Sequence, residues 1–399
     1  MQPIRISAFT AASGLGRGVA SLRTALERGE SGLTSERFET CDLDTWIGII
    51  PGLDEQALPA GLEGFDCRNN RAAEAALLED GFARAVEAVS RRHGPQRVGV
   101  FLGTSTAGIL QAELAYRRRD PADGALPADF DYRRTQNTFS VVDYVRTRLS
   151  LEGPAVAIST ACSSSAKAFA SAARYIEAGL IDAAIVGGVD TLCLTTLYGF
   201  NSLQLLSAQP CRPYDAGRDG ISIGEAAALV LLERGSRDDE ASTWLLGCGE
   251  SCDAYHMSAP HPEGAGARLA MQAALRSAGL EAGAIDYVNL HGTGTPSNDA
   301  AEDKAIEAVF GREVPCSSTK GMTGHTLGAA GGIEAIVCML ALDAGLVPGS
   351  PGTREIDATL NARYELEPRR AKLATALSNS FGFGGTNCSL VFGRSSPAA

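Results

Sequence analysis

Two hydrophobic periods alternate along this chain. Residues 4–9 alternate apolar and polar positions as a strand does, and residues 226–232 form a continuous apolar run typical of a strand buried on both faces. Between such runs, apolar residues recur every three or four positions, as they do on one face of a helix. Strands and helices that alternate through both halves of the chain predict an α/β fold with mixed sheets.

One segment predicts a long amphipathic helix. Residues 69–92 place Ala, Leu, Phe and Val three or four positions apart, and Asn69 or Asn70 is available as the N-terminal cap. A second predicted helix, 327–344, is rich in Gly and Ala over its first turns. Small residues at this end indicate that another element packs closely against it.

The clearest supersecondary unit is a β–α–β segment in the first half. Residues 155–159 predict a strand, residues 164–178 a helix that Gly179 stops, and residues 183–186 the next strand. A comparable order of elements begins near Trp244, and this matching order indicates two similar halves although no repeat is visible in the sequence. The second half has predicted helices at 268–278 and 299–310, predicted strands at 285–290, 373–378 and 388–392, and a glycine-rich loop between the last two.

Composition and charge exclude several functions. The 399 residues suit two domains, and the net charge of −12 argues against a duplex nucleic-acid binder, which usually presents a basic face. The ten cysteines are scattered, without a Cys-x-x-Cys pair or a zinc-ligand spacing, so most are expected to be small buried residues in a reducing compartment. The first residues read as a strand and not as a signal peptide, and no apolar run approaches the ~20 residues of a membrane span. We therefore expect a cytoplasmic protein without metal, membrane insertion or nucleic-acid binding.

Cys162 is the first candidate for chemistry. It follows the predicted strand 155–159 and precedes the first turn of the helix that begins at Ser164. The N-terminus of a helix stabilises a thiolate through its dipole and its free N–H groups, and the same groups can hold an oxyanion. A buried cysteine in a tight turn would fit this position equally well.

His291 and His325 are the next candidates, because both lie in glycine-rich segments of a chain that has five histidines. His291 ends a predicted strand and precedes Gly-Thr-Gly-Thr, while His325 precedes the Gly- and Ala-rich helix and follows Lys320 by five residues. Taken singly, the first would also fit a strand-end histidine and the second a helix cap. His256 and His261 lie in a Pro-containing loop and are expected to have surface or structural roles.

Residues 379–387 alternate Phe and Gly, which predicts a tight loop whose aromatic rings wall a pocket and whose N–H groups are exposed. A β-hairpin with its aromatic residues in the core is the alternative. One nucleophilic cysteine with two histidines from separate loops suits acyl transfer through a thioester. Two neutral imidazoles could donate hydrogen bonds to a thioester carbonyl as it becomes an enolate, which suits decarboxylation better than hydrolysis.

Six ordered motifs resemble those of the β-ketoacyl-acyl carrier protein synthases, of the elongating type, within the thiolase superfamily. The resemblance covers essentially the whole chain, and six motifs in order are far more specific than any one of them. They are S-T-A-C-S-S-S (159–165), R-P-Y-D-A-G-R-D-G (212–220) with G-E-A-A-A-L-V-L (224–231), D-A-Y-H-M-S-A-P (253–260), L-H-G-T-G-T-P-S-N-D (290–299), S-S-T-K-G-M-T-G-H-T-L-G-A-A-G (317–331) and S-N-S-F-G-F-G-G-T-N (378–387).

The resemblance implies an α/β, thiolase-like fold of five layers, αβαβα, built from two similar halves. Residues 1–236 would carry the nucleophilic cysteine, and residues 237–399 the two catalytic histidines. The resemblance also implies a homodimer, and it allows a heterodimer with a chain-length-factor-like homologue. Substrates would arrive on the phosphopantetheine of an acyl carrier protein, so no metal or diffusible cofactor is expected.

The implied reaction is the decarboxylative Claisen condensation of an acyl-enzyme thioester with malonyl-acyl carrier protein, in fatty-acid, polyketide or aryl-polyene biosynthesis. Cys162 would be the acylated nucleophile, and His291 and His325 would bind the donor thioester carbonyl and drive decarboxylation. Lys320 would support the electrostatics, and the backbone N–H groups of Cys162 and Phe383 would form the oxyanion hole, with Phe383 also gating the acyl pocket. Residues carried over in supporting roles are Thr293 and Thr295 for the phosphopantetheine arm and the acidic Asp299, Glu302 and Glu334.

An arginine-rich, polar stretch could dock the acidic carrier protein, although a solvated arginine face would look the same. The docking candidates in it are Arg117, Arg118, Arg119, Arg133 and Arg134.

Two rival functions are less consistent with the motifs. A thiolase that uses coenzyme A would be expected to use a second cysteine near the C-terminus in place of a histidine. Cys388 follows the Gly-rich loop, but His325 lies in the synthase-type motif. A non-catalytic chain-length-factor-like subunit would lack the nucleophile that Cys162 supplies.

Overall fold

A computed structural model describes residues 1–235 and 243–394 of the chain. Ten strands form two units of five, one from each half of the sequence. The first unit contains β1 (Ile4–Ser13), β2 (Val98–Gly103), β3 (Ala155–Ile158), β4 (Ala183–Asp190) and β5 (Ala226–Glu233). The second contains β6 (Trp244–Cys252), β7 (Tyr287–Asn289), β8 (Pro315–Ser317), β9 (Thr375–Gly382) and β10 (Thr386–Gly393).

The two units share one topology. The strand order is β3-β2-β4-β5-β1 in the first and β8-β7-β9-β10-β6 in the second. In each unit, two parallel pairings are followed by two antiparallel ones. A short antiparallel pairing of β1 with β6, at Ile4–Leu245 and Arg5–Trp244, joins the units. The predicted similarity of the two halves is therefore a duplication of topology, and the predicted boundary at 236/237 lies outside the described residues.

Helices form three layers around these strands. The apolar faces of α1, α6 and α11 meet in a core between the two units, α2, α3 and α5 cover the outer face of the first unit, and α8 and α9 cover that of the second. This is the predicted five-layered αβαβα arrangement. The helices are α1 (Val19–Arg28), α2 (Arg68–Leu77), α3 (Phe82–His93), α4 (Ile109–Arg117), α5 (Ser140–Arg148), α6 (Ser164–Glu177), α7 (Leu194–Ser202), α8 (Ala265–Ala278), α9 (Pro296–Phe310), α10 (Lys320–Thr323) and α11 (Ala330–Ala344).

The small residues at the start of α11 allow α6 to approach closely, as their pattern predicts. A Cβ atom added to Gly331 would lie 2.8 Å from the Cβ of Ala166 in α6. A short 3₁₀ turn, Leu327–Ala329, leads into α11. Contrary to the expectation that no apolar run approaches a membrane span, the stretch Leu327–Ala344 is long and apolar enough for one by length and composition alone, but 89% of it is buried within the fold. It is therefore the central core helix of this architecture.

Two predictions of local structure were wrong. The segment 69–92 forms two helices, α2 and α3, because Asp80 and Gly81 between them adopt positive φ values of 55° and 68°. The side chain of Cys67 caps α2 by accepting from the Asn70 N–H, so Cys67 takes the place predicted for Asn69 or Asn70.

The Phe- and Gly-rich segment near the C-terminus forms a β-hairpin and not an irregular loop, but Phe381 and Phe383 do wall a pocket, as predicted. Strand β9 continues to Gly382, turns through Phe383–Gly385 and returns as β10. A Cβ atom on Gly382 would lie 2.9 Å from the carbonyl oxygen of Thr160, so this glycine lets the hairpin lie against the turn that precedes Cys162.

Candidate active site

Cys162 lies in a sharp turn between β3 and α6. Ala161, just before it, has a φ of 52°, a left-handed conformation that costs a non-glycine residue roughly 1–2 kcal/mol. The Thr160 N–H donates to Oγ of Ser164 over 2.8 Å, and the Ser163 hydroxyl donates to the Thr160 carbonyl over 2.9 Å. The turn therefore holds the Cys162 thiol, which is 6% exposed, in the wall of a cavity.

The Cys162 thiol keeps its proton at neutral pH. Burial raises its pKa to about 11, although the charge of Lys320 and the backbone N–H of Phe383 both act to lower it. Burial thus outweighs the thiolate stabilisation predicted from the helix N-terminus. The sulfur must lose its proton during a reaction and not before it.

His291 and His325 face Cys162 from two loops of the second half. The sulfur and one ring nitrogen of each histidine lie within 4.8 Å of one another. The two rings are 5.3 Å apart and nearly perpendicular, and each residue is 2% exposed. The fold therefore brings together the three residues that separate motifs predict.

Hydrogen bonds assign the proton of each ring. The Leu327 N–H donates to Nδ1 of His325 over 3.1 Å, and the Lys320 ammonium lies 3.3 Å from Nδ1 of His291. Both Nδ1 atoms act as acceptors, so each neutral ring carries its proton on Nε2. Burial, and then the charge of Lys320, hold the pKa of both histidines well below the usual value. The site therefore presents two neutral N–H donors beside the sulfur.

Lys320 is fixed by buried partners. Its ammonium forms an ion pair with Glu334 and donates to the His291 carbonyl over 2.5 Å. Burial raises the pKa of Glu334 to about 7, against the lowering effect of Lys320. Because both side chains are almost fully buried, the loss of either partner would leave a desolvated charge.

Two buried carboxylates shape the loop that carries His291. Glu302 accepts from the His291 N–H over 2.8 Å, and Asp299 accepts from the Thr293 N–H over 3.1 Å. Tyr214 links the two, since its N–H donates to Asp299 and its hydroxyl to Glu302. Burial raises the pKa of Asp299 to about 6. Tyr214 lies in a motif quoted above, but the sequence offered no reason to assign it this role.

Phe383 contributes both backbone and ring to the cavity. Its backbone N–H lies near enough to the Cys162 sulfur to lower the pKa of the thiol, and its ring lies 5.7 Å from that of Phe200. Thr293 and Thr295 line the same cavity with their hydroxyls 2.9 Å apart. The cavity has about 610 Å³ of empty space between its lining atoms. Phe200, on α7, belongs to no motif and was not predicted.

The predicted docking arginines lie outside this cavity, on the exposed stretch between α4 and α5. Three of them have partners: Arg117 contacts Glu39 and Thr40, Arg118 pairs with Asp129, and the Arg134 guanidinium lies over the ring of Phe65. In the described part of the chain, the side chains of Arg119 and Arg133 have no ion-pair partner.

Other candidates are not brought to the cavity. His256 is exposed and His261 is half-buried, and neither lines the cavity, as predicted. Cys388 is fully buried within β10 and does not line it either, which weakens the coenzyme A thiolase alternative. Cys162, His291 and His325 also offer three donor atoms of the kind that zinc binds, but the Lys320 ammonium beside His291 opposes a cation.

A buried cysteine at a helix N-terminus that faces two neutral histidines, within a duplicated five-layered fold, defines a thiolase-like acyltransferase. The chain belongs to the β-ketoacyl synthase family. Residues 69–238 match the family model described as the N-terminal domain of β-ketoacyl synthase, and residues 243–354 match that of the C-terminal domain. The chain is therefore a condensing enzyme of the acyltransferase class.

Curated relatives and solved structures agree with this membership. The 3-oxoacyl-[acyl-carrier-protein] synthase 2 of Vibrio cholerae is 33% identical over 418 residues, 96% of each chain, and that of Rhizobium meliloti is 37% identical over 74% of each chain. The ketosynthase ApeO, solved in complex with its chain length factor ApeC from Xenorhabdus doucetiae, is 40% identical with a TM-score of 0.89, covering 99% of this chain and 98% of that one. The ishigamide ketosynthase/chain length factor is 26% identical with a TM-score of 0.89, covering 98% and 99%.

Proposed function

We propose that this chain condenses an acyl group held on Cys162 with a malonyl unit carried by an acyl carrier protein. The observation that carries the proposal is the convergence of the Cys162 sulfur with one nitrogen each of His291 and His325 within 4.8 Å. Relatives named 3-oxoacyl-[acyl-carrier-protein] synthase 2 support the same reaction.

In the first half-reaction, the Cys162 sulfur attacks the thioester carbonyl of an acyl carrier protein. The bond from the carbonyl carbon to the carrier sulfur breaks, and the carrier thiolate takes the proton that the cysteine loses. The Phe383 N–H, which already faces the sulfur, joins the Cys162 N–H in stabilising the oxyanion. The acyl chain then extends past the rings of Phe200 and Phe383, which pack against each other in the wall of the cavity.

In the second half-reaction, the carbonyl of the malonyl thioester accepts hydrogen bonds from Nε2 of His291 and His325. The bond to the carboxylate carbon breaks, CO₂ leaves, and the electron pair forms an enolate that the two N–H groups stabilise. The enolate carbon attacks the Cys162 thioester, the bond from the carbonyl carbon to the cysteine sulfur breaks, and the departing thiolate takes a proton from solvent. Lys320 disfavours a positive charge on either ring, which keeps both as neutral donors. The atoms and electrons balance without a metal or a diffusible cofactor.

The hydroxyls of Thr293 and Thr295 line the cavity and are suited to hold the phosphopantetheine arm of the carrier. Arg119 and Arg133 are the two predicted docking arginines without an ion-pair partner among the described residues, and we assign them to the acidic carrier protein. The double change Arg119→Glu with Arg133→Glu should raise KM for the carrier at least fivefold with kcat nearly unchanged. Arg91→Glu on α3 is the matched control, and equal effects of the two would contradict the docking assignment.

A homologous partner chain is proposed to pair at the free edge of β3. This strand is the last of its unit, and its four residues are all half-buried although they are apolar. Such an edge favours pairing with another strand. The 40% identity to a ketosynthase that was solved with its chain length factor favours a pathway that uses such a pair over primary fatty-acid synthesis. The proposed location of this pathway is the cytoplasm. Ala157→Lys should halve the mass of the assembly in light scattering, and an unchanged mass would contradict this interface.

Intact-protein mass spectrometry tests the proposed reaction directly. Incubation with a panel of acyl carrier proteins should add one acyl mass to the wild type and none to Cys162→Ala. Malonyl-acyl carrier protein should then discharge the acyl group as a β-ketoacyl product. Loading that persists in Cys162→Ala, or no loading with any acyl carrier protein, would overturn the proposal.

A further inference from the structure

Asp190, a buried carboxylate outside the six motifs, lies between the turn that carries Cys162 and the segment that carries His325. It is the last residue of β4 and has no exposed surface. It does not line the cavity, and no step of the proposed reaction uses it. Its hydrogen bonds nevertheless reach toward both catalytic segments.

The first set of bonds goes to the segment that follows β2. Oδ1 of Asp190 accepts from the hydroxyl of Thr104 and from the N–H groups of Ser105 and Thr106, each over 2.8 Å. The Ser105 hydroxyl in turn lies 3.5 Å from the carbonyl of Ala161, the residue before Cys162. This side of the carboxylate therefore supports the backbone next to the nucleophile.

The second set goes to the His325 segment. Oδ2 of Asp190 accepts from the Gly328 N–H over 2.5 Å. The residue before Gly328 is Leu327, whose own N–H holds Nδ1 of His325. A Cβ atom on Gly328 would lie 2.7 Å from Oδ2 of Asp190, so the close contact requires glycine. This side of the carboxylate therefore fixes the peptide that sets the orientation of the His325 ring.

Backbone strain is concentrated in these segments. Ala107, Ala161 and Leu327 have φ values of 43°, 52° and 52°, which non-glycine residues rarely adopt. Each such residue costs on the order of 1–3 kcal/mol and persists only where its surroundings hold it. The N–H groups that Asp190 binds, those of Ser105, Thr106 and Gly328, lie next to two of these residues, Ala107 and Leu327.

We propose that Asp190 is a positioning residue, which fixes the His325 ring relative to the Cys162 sulfur by holding on one carboxylate the Gly328 peptide and the 104–106 segment, whose Ser105 contacts the turn before Cys162. The inference rests on the proposed function, in which His325 acts in decarboxylation. Activation of the thiol is not the role, because the charge of Asp190 raises the pKa of Cys162. The contribution is therefore geometric.

Asp190→Asn tests this role, because an amide offers one acceptor and one donor where the carboxylate offers two acceptors. Its NH₂ group must face N–H donors from one of the two segments. We expect the decarboxylation of malonyl-acyl carrier protein to slow at least about 30-fold, since displacements near 1 Å can cost about 100-fold. Loading of Cys162 should stay within about threefold of wild type. Gly328→Ala, which pushes the same peptide away from Asp190, should produce the same split.

The matched control is Asp182→Asn, at the other end of the same strand, where Asp182 pairs with Arg97. It should leave both half-reactions unchanged. Two outcomes would overturn the positioning role, provided that the wild type is active. One is that loading and decarboxylation fall equally in Asp190→Asn and Gly328→Ala. The other is that both variants decarboxylate at the full wild-type rate. If thermal denaturation shows that Asp190→Asn is unfolded, Gly328→Ala decides alone. A wild type that neither loads nor decarboxylates would instead refute the proposed function.

Discussion

The ammonium of Lys320 lies 3.3 Å from Nδ1 of His291, and the same ammonium forms a buried ion pair with Glu334. Lysine is a donor only, so this contact makes Nδ1 the acceptor and leaves the ring proton on Nε2, facing the cavity. The positive charge also lowers the pKa of both His291 and His325. One lysine thus sets the tautomer of one histidine and the charge state of two.

Lys320→Met should therefore change the pH dependence of condensation as well as its rate. The rings donate as neutral groups, and burial with Lys320 lowers their pKa, so wild-type activity should persist below the usual titration range of histidine. Without the charge, the pKa of each ring rises and the acid limb of the kcat profile should move to higher pH. We expect kcat near neutral pH to fall about 10–100-fold, because His291 also loses a partner that orients it.

Lys167→Met is the control for this change, since Lys167 pairs with Glu250 away from the cavity. Its pH profile of kcat should overlay that of the wild type. An acid limb that stays in place in Lys320→Met would show that the lysine does not set the charge of the histidines.

Zinc should inhibit the enzyme only in large excess, whereas chelators should leave it active. Cys162, His291 and His325 offer one sulfur and two nitrogens within 4.8 Å, and a zinc ion bound there would occupy all three groups that the proposed reaction uses. Such an ion must bind against the charge of Lys320 and displace the Nε2 protons, so its affinity should be low. Acylation of Cys162 before zinc is added should protect, because it removes the sulfur ligand. Loading assays with zinc and with EDTA measure both effects, and activity that disappears with EDTA would show that a metal takes part in the reaction.

The pattern along the chain predicts most of the fold, since apolar periodicity depends on neighbours three or four residues away. It was misled at 69–92 because α2 and α3 both pack on the outer face of the first strand unit, so the apolar spacing runs on through the bend at Asp80 and Gly81. Periodicity reports which side of a segment is buried, and it does not report the backbone dihedrals that separate two helices. The Phe–Gly alternation predicted an irregular loop where the chain forms a hairpin. Gly382 lies within an ordinary strand, and its missing side chain makes room for the backbone at Thr160.

The catalytic candidates could be predicted because each lies in a motif with its own local signature. The resemblance also supplied Lys320, Asp299, Glu302 and Glu334 as supporting residues, but the supporting contacts of Asp190 and Tyr214 could not be predicted, because they join distant parts of the chain. Asp190 and Gly328 are 138 residues apart, and Tyr214 and Glu302 are 88 apart. No local pattern contains such a pair, and an aspartate at the end of a buried strand has no distinguishing neighbour in sequence.

Glu233 should make stability depend on pH. Its carboxylate is almost fully buried and contacts Arg5, Ser7, Arg92 and His93. Burial acts to raise its pKa, but hydrogen bonds with His93, Ser7 and Arg5 outweigh it, so the pKa lies below the usual value of 4.5. A lowered pKa contributes stability that is present above pH 4.5 and is lost as the pH falls through the folded-state pKa.

Glu233→Gln should therefore lower the free energy of unfolding by about 1–2 kcal/mol at pH 7, because it removes the negative charge with which the half-buried Arg5 and the exposed Arg92 pair. The difference from wild type should shrink as the pH falls below 4.5. Urea unfolding at several pH values measures this difference in the free energy of unfolding. Glu87→Gln is the control, because it breaks an exposed pair with Arg91, and it should change stability by less than about 0.5 kcal/mol. A pH-independent difference would refute the assignment.

Phe383→Pro should separate the backbone role of this residue from the role of its ring. Proline has no N–H, and Gly382 before it is extended, with φ −106° and ψ 153°, as a residue that precedes proline should be. Phe383→Ala keeps the N–H and loses only the ring. If the N–H stabilises the oxyanion, kcat for loading of Cys162 should be about 10²–10³-fold lower in Phe383→Pro than in Phe383→Ala. Equal loading rates in the two variants would show that the Phe383 N–H takes no part in the oxyanion hole. If both variants also change the preferred acyl length, the ring of Phe383 still acts as the gate of the pocket.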